Sequence, residues 1–107
     1  MRPARKNDVF DAVSHPVRRR ILFVLKDGAR PAGNLAQPFK MSAAAVSQHL
    51  RILREAALVQ EQRRGRQLIY HLNPAPLKVI YQWVEEFGDF WNTKLDALEK
   101  HLDRKYR

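Results

Sequence analysis

The 107 residues contain no cysteine. That absence excludes disulfides, thiolate metal centres and thiol nucleophiles together, and it suits a reducing compartment. Glycine is scarce, with four residues, and none lies in a glycine-rich phosphate-binding loop. Nor is there an apolar run near the roughly 20 residues that span a bilayer, and the start MRPARKNDVF lacks the hydrophobic core of a signal peptide. The sequence therefore predicts a soluble cytoplasmic protein with no membrane partner. Acidic residues are also few, 11 against 20 lysines and arginines, for a net charge of +9. Residues 1–30 carry eight basic and three acidic side chains, residues 31–72 carry six and two, and residues 73–107 carry six of each. The positive excess lies entirely on the first two thirds, as expected if that part faces a polyanion and the last third faces protein.

A chain of this length supports one domain, 1–107, with one modest core. Val9, Phe10 and Val13 have helical spacing behind the candidate caps Asn7 and Asp8. Pro16 suits the first turn of a second helix, whose stripe reads Val17, Ile21, Val24 and Leu25 up to Gly28. Pro31 opens a short third helix around Leu35 and Ala36 that Pro38 ends, leaving Phe39, Lys40 and Met41 as a turn. Ser42 is a good N-cap for a fourth helix, in which Val46, Leu50, Leu53 and Ala57 form the inner seam. Its outer face carries Ala44, Ser47, Gln48, Arg51 and Arg54. Strand character follows at 58–62 and 67–72, where Leu68, Tyr70 and Leu72 alternate, and between the two strands lies a glycine-containing tip with Arg63, Arg64 and Arg66. After Asn73 and Pro74 the pattern predicts one long helix over 76–102. Its seam is Leu77, Tyr81, Val84, Gly88, Trp91, Leu95, Leu98 and Leu102, widened by Ile80, Phe87 and Phe90.

The fold class expected is mainly α with a small β-hairpin, a winged helix-turn-helix with a long C-terminal dimerisation helix. The DNA-binding core is 7–72, with the wing at 58–72. In such a unit the second helix of the turn enters the major groove, where base edges present a distinguishable pattern of donors and acceptors. Gln48 suits adenine, Arg51 and Arg54 suit guanine or phosphate, and the Ala44 methyl suits thymine. Ser47 and the helix start capped by Ser42 suit phosphate, and Arg63, Arg64 and Arg66 suit the backbone or the minor groove. Arg54 has competing partners in Glu55 and Glu61. Arg18, Arg19 and Arg20 fan around their helix, so one reads as a phosphate contact and the others as solvated or paired with Asp11 or Asp27. His15, His49, His71 and His101 show no metal-ligand spacing and read as structural or solvated, so neither metal nor cofactor is expected. Ser47 and His49 point to different sides of one helix, outside any nucleophile elbow, and the chain does not read as an enzyme.

The stretch MSAAAVSQHLRILREAALV at 41–59 resembles the recognition-helix signature of ArsR-type (ArsR/SmtB) repressors. SHPVRRRIL at 14–22 resembles their second-helix motif, and RRGRQLIYHL at 63–72 their wing. The resemblance implies a homodimeric repressor of double-stranded DNA, its first and last helices packed across a two-fold axis, each subunit reading half of an inverted repeat. Two features depart from the family. PAGNLAQPFK has no cysteine where the metal-sensing branch carries ligands, and FWNTKLDALEKHLD does not reproduce that branch's second site, so metal sensing is not carried over. The last helix is instead similar to a cysteine-free branch often found beside START-like or stress-related proteins. Ala57 stands where the family usually has glycine, which suggests a less sharp helix stop. Two alternatives remain: a regulator with a metal or small-molecule effector between subunits, and an architectural protein indifferent to sequence. Competition with random duplex separates the latter, because a specific binder prefers its site by at least ~10³.

Overall fold

Three helix starts, behind Asp8, His15 and Ser42, fall where a side chain satisfies a free amide. Residues 8–106 are described by a computed structural model, in the order α1 (Val9–Ala12), α2 (Pro16–Leu25), β1 (Arg30–Pro31), α3 (Ala32–Ala36), α4 (Ala43–Glu55), β2 (Val59–Arg64), β3 (Gln67–Leu72), α5 (Leu77–Glu85) and α6 (Gly88–Tyr106). Asp8 caps α1 by accepting from the Asp11 amide, while the alternative cap, Asn7, lies outside the described residues. Pro16 opens α2 behind a His15 cap, and Ser42 Oγ accepts from the Ala45 amide at 3.1 Å to start α4.

Val46, Leu50 and Leu53 of α4 meet Ile21, Leu22 and Leu25 of α2, Leu35 of α3, Leu58 before β2, and Val59 and Tyr70 of the sheet in one core. The sheet order is β1-β3-β2, antiparallel throughout. β1 is an addition to the expected hairpin: Arg30 and Pro31 pair with Tyr70 and Ile69, and Pro31 is tolerated because this strand is an edge. β3 spans the expected 67–72, whereas β2 starts one residue later than expected and runs on to Arg64, which pairs with Gln67. The turn is thus Gly65 and Arg66 alone, with Gly65 at φ +61°, a value that glycine adopts without a Cβ clash.

Two expectations need correction. The α4 seam ends on Ala56, which is buried, and not on Ala57, which is exposed and left-handed at φ +62°. The helix stop is sharp despite the missing glycine. The Leu58 amide reaches back to the Leu53 carbonyl at 3.0 Å, and Asn73 Nδ2 holds the Ala57 carbonyl at 2.8 Å. Burial of Leu53 and Leu58 on both sides forces the turn, so Ala57 carries a Cβ penalty that glycine avoids. Ala57→Gly is expected to stabilise the fold by about 1 kcal/mol, raising the thermal midpoint by about 4–8 °C. An unchanged or lowered midpoint would show that the position is unstrained.

The second correction concerns 76–102, which is two helices. Glu86 and Phe87 form a turn between α5 and α6, and the Phe87 amide bonds to the Val84 carbonyl, three residues back. Gly88 opens α6 directly after this turn, and a Cβ there would meet nothing of its own chain within 4 Å. The long C-terminal helix is α6, 19 residues.

Candidate nucleic-acid interface

The polar face of α4 stands clear of the core. Ala44, Ser47, Gln48 and Arg51 are all exposed, on the side opposite Val46, Leu50 and Leu53. Ser42 is exposed, with its oxygen committed to the cap. Arg51 lies 3.8 Å from Glu55, a loose pair on the helix surface. Arg54 is engaged differently from its neighbours. Its Nη1 donates to Glu61 Oε2 at 2.6 Å, and the same oxygen accepts from the Tyr70 hydroxyl at 2.9 Å. This chain of bonds ties α4 to β2 and β3, so Arg54 braces the wing against the helix. Burial, reinforced by the bond to Glu61, pushes the Tyr70 hydroxyl up to about 12, which keeps it a donor at any physiological pH.

Arg63 and Arg64 lie near the end of β2 and Arg66 at the turn, all exposed. Among the described residues none of the three has an ion pair or a side-chain hydrogen bond. An α-helix with an exposed polar face and a hairpin with free cations are therefore held on one rigid frame, the arrangement that places a helix in a groove and a hairpin along phosphates.

Sequence reasoning missed a cluster beneath α4. Arg18 is a buried side chain, 9 % exposed, and not a phosphate contact. Its neighbours behave closer to expectation: Arg19 donates to the Val13 carbonyl and Arg20 is exposed, while Asp27 pairs with Lys26. The available signal was spacing, since Arg18 shares one helix face with Ile21, Leu22 and Leu25. His15 and His49, 34 positions apart, are brought to a ring separation of 4.5 Å. Among the described residues no group of three or more His, Asp or Glu side chains is placed to hold a metal ion.

The predicted dimer-face residues fall on α5 and α6. Tyr81, Val84, Trp91, Leu95, Leu98 and Leu102 are exposed by 42–66 %, and Leu77 and Gly88 are partly buried. No residue from 89 to 105 is buried. Phe10 of α1 joins this face by an edge-on contact with Trp83 at 5.9 Å. An open apolar pocket of about 360 Å³ lies at the junction of α5 and α6, between Trp83, Phe87, Phe90 and Trp91. The radius of gyration is 18.2 Å, against roughly 13 Å for a compact domain of 100 residues, because α6 extends away from the core. Among the described residues no helix is long and apolar enough to cross a membrane.

Two short helices, a turn, a polar-faced second helix and a basic hairpin define a winged helix-turn-helix DNA-binding protein. Residues 13–62 match the model of a helix-turn-helix domain family. The chain is 40% identical over 81 residues to the transcriptional repressor SdpR of Bacillus subtilis (strain 168), covering 76% of this chain and 90% of that one. It is 31% identical over 94 residues to the HTH-type transcriptional regulator Rv2034 of Mycobacterium tuberculosis, covering 88% and 85%. The crystal structure of the ArsR family transcriptional regulator RHA00566 matches with a TM-score of 0.71 at 25% identity, over 78% of this chain and 91% of that one. The chain belongs to the ArsR/SmtB family of winged helix-turn-helix regulators and is a DNA-binding transcriptional regulator.

Proposed function

We propose that the protein is a cytoplasmic homodimeric repressor that occludes promoter DNA by reading an inverted-repeat operator, and that it acts without catalysis. The observation that carries this reading is the pairing of two exposed faces on one small chain. The polar face of α4 reads a half-site, and the apolar face of α1, α5 and α6 binds a second copy. α6 leaves Trp91, Leu95, Leu98 and Leu102 exposed along 19 residues, an apolar stripe that its own chain does not bury and that suits a partner surface. In this reading Gln48, Arg51, Ala44 and Ser47 face bases and nearby phosphates. Arg63, Arg64 and Arg66 follow the backbone, and Arg54 acts through the wing. Leu77, Tyr81, Val84, Gly88, Trp91, Leu95 and Leu98 lie at the two-fold interface.

Selection from a pool of random duplexes tests it. Enriched sequences are expected to contain an inverted repeat with half-sites one helical turn apart, about 10 to 10.5 base pairs. Enrichment of no common sequence would instead favour an architectural role. On the enriched duplex, Arg64→Ala with Arg66→Ala is expected to weaken specific and random DNA alike. The slope of log affinity against log salt is expected to fall by roughly 0.9 for each phosphate that is no longer neutralised. An unchanged slope would remove the wing from the interface.

A further inference from the structure

Arg18 sits where three segments meet. Its Nε donates to the Ala12 carbonyl at 2.8 Å, and its Nη2 to the Asp11 carbonyl at 3.2 Å and to Ser14 Oγ at 3.5 Å. Its Nη1 bonds to His49 Nδ1 at 3.1 Å. One guanidinium therefore closes the end of α1 and reaches α4. A guanidinium has donors only, so His49 Nδ1 is the acceptor and carries no proton. The same logic applies to His15, whose Nδ1 accepts from the Val17 amide at 3.1 Å to cap α2. Both rings are thus neutral, with the proton on Nε2. A proton on either Nδ1 removes the bond that atom accepts, and it places a cation against Arg18 or against the other ring.

We propose that Arg18 and His49 are positioning residues whose hydrogen bond fixes the DNA-reading helix α4 against α1, and that this coupling holds only while His49 is neutral. The proposal rests on the reading of α4 as the DNA-reading helix and of α1 as part of the dimer face. Since Phe10 of α1 packs on Trp83 of α5, the Arg18 bonds connect the two faces through a few fixed contacts. The charged groups around His49 are few. From α2 comes Arg18, and His15 stands just before it; Asp11 of α1 enters through its backbone carbonyl, its side chain being exposed. α3 has no charged residue, and Glu61 of β2 is held by Arg54 and Tyr70.

Burial, then His15 and then Arg18, lower the pKa of His49 below its ordinary 6.5. A proton therefore binds more readily when the cluster is open. The coupling is complete above about 6.5, the ordinary histidine value, and is lost as pH falls below it. The expected sign is distinctive, because added protons on exposed histidines raise the positive charge and by themselves strengthen DNA binding.

The test combines ring ¹⁵N spectra of the full chain with affinity for the enriched duplex at constant ionic strength. Both rings are expected as the Nε2–H form at about pH 7.5. Breaking one hydrogen bond to a charged group corresponds to about a tenfold or greater drop in affinity. A drop of up to about tenfold, the most that one histidine of ordinary value 6.5 contributes one pH unit below it, is expected in the wild type as pH falls from about 7.5 to 5.5, with the dimer intact in sedimentation. In His49→Leu about a tenfold or greater drop is expected already at about pH 7.5. Asparagine at both positions offers an acceptor in place of Nδ1 and does not titrate. His15→Asn with His49→Asn is therefore expected to bind within about threefold of wild type at both pH values. An Nδ1–H ring, a flat wild-type profile, or the same acid-induced drop in the double variant would overturn the proposal. Where the double variant does not fold, the wild-type tautomers and pH profile decide. If no duplex is enriched, the DNA-reading interpretation fails and the tautomers still decide the cluster.

Discussion

Leu95→Glu combined with Leu98→Glu is expected to convert the protein to monomers and to lower affinity for its enriched duplex by at least ~10², the scale of avidity that disappears when two linked sites become one. Both leucines are about half exposed in the single chain, at 50% and 52%, so glutamate costs the monomer little. In a two-fold interface the same carboxylates are buried without partners, which is strongly unfavourable. One α4 spans only a few base pairs, and the second half-site contributes only if a partner holds the second copy in register. Sedimentation and affinity are expected to change together, with the helical content of 8–72 retained. A double variant that remains dimeric and binds normally would place the interface elsewhere on the chain. Gly88→Leu probes the same face nearer the turn. A Cβ there meets nothing of the surrounding chain within 4 Å, so a weakened dimer with an unchanged monomer fold would point to the partner's approach.

Gln48→Ala is expected to erase discrimination at one base position, by about 1 to 3 kcal/mol, or roughly 5- to 150-fold, while random duplex binds as before. Gln48 is exposed one turn into α4, two positions after the buried Val46, which sets it on the outward face. Its amide has both a donor and an acceptor, the pair that adenine presents in the major groove. Measuring affinity for the enriched duplex and for each single-base variant checks this. Equal weakening on every duplex would identify Gln48 as a backbone contact.

The parts of this molecule that are legible in the sequence are those where a period specifies a face. Val46, Leu50 and Leu53 place α4, and the alternation through Leu68, Tyr70 and Leu72 places β3, because burying one side of an element constrains every second or every third to fourth residue. Features fixed by a long-range partner are hidden. β1 is two residues with no period, and it exists only because β3 offers a free edge. Spacing sets Arg18 on the face of Ile21, Leu22 and Leu25, but the Ala12 carbonyl and His49 that receive its guanidinium come into view only in the fold. Arg54 is an intermediate case: Glu61 is visible in the sequence as a competitor for it, and Tyr70 completes the arrangement.

The long terminal seam misleads for a different reason. Apolar spacing through Val84, Gly88 and Trp91 says which face is covered, and that phase survives a turn at Glu86 and Phe87 that still forms a short-range hydrogen bond. No proline marks the break. Ala57 shows the converse: a residue expected to soften a helix end is held in a left-handed conformation by the burial of Leu53 and Leu58 around it.

The central claim is that two copies read one site through paired α4 helices. Base-resolved protection of the enriched duplex, with stoichiometry measured on the same complex, tests it most directly. Two protected major-groove patches are expected, related by a dyad and about 10 to 10.5 base pairs apart, with two chains per duplex. A single protected patch with one chain per duplex, or uniform protection along the DNA, would contradict the account.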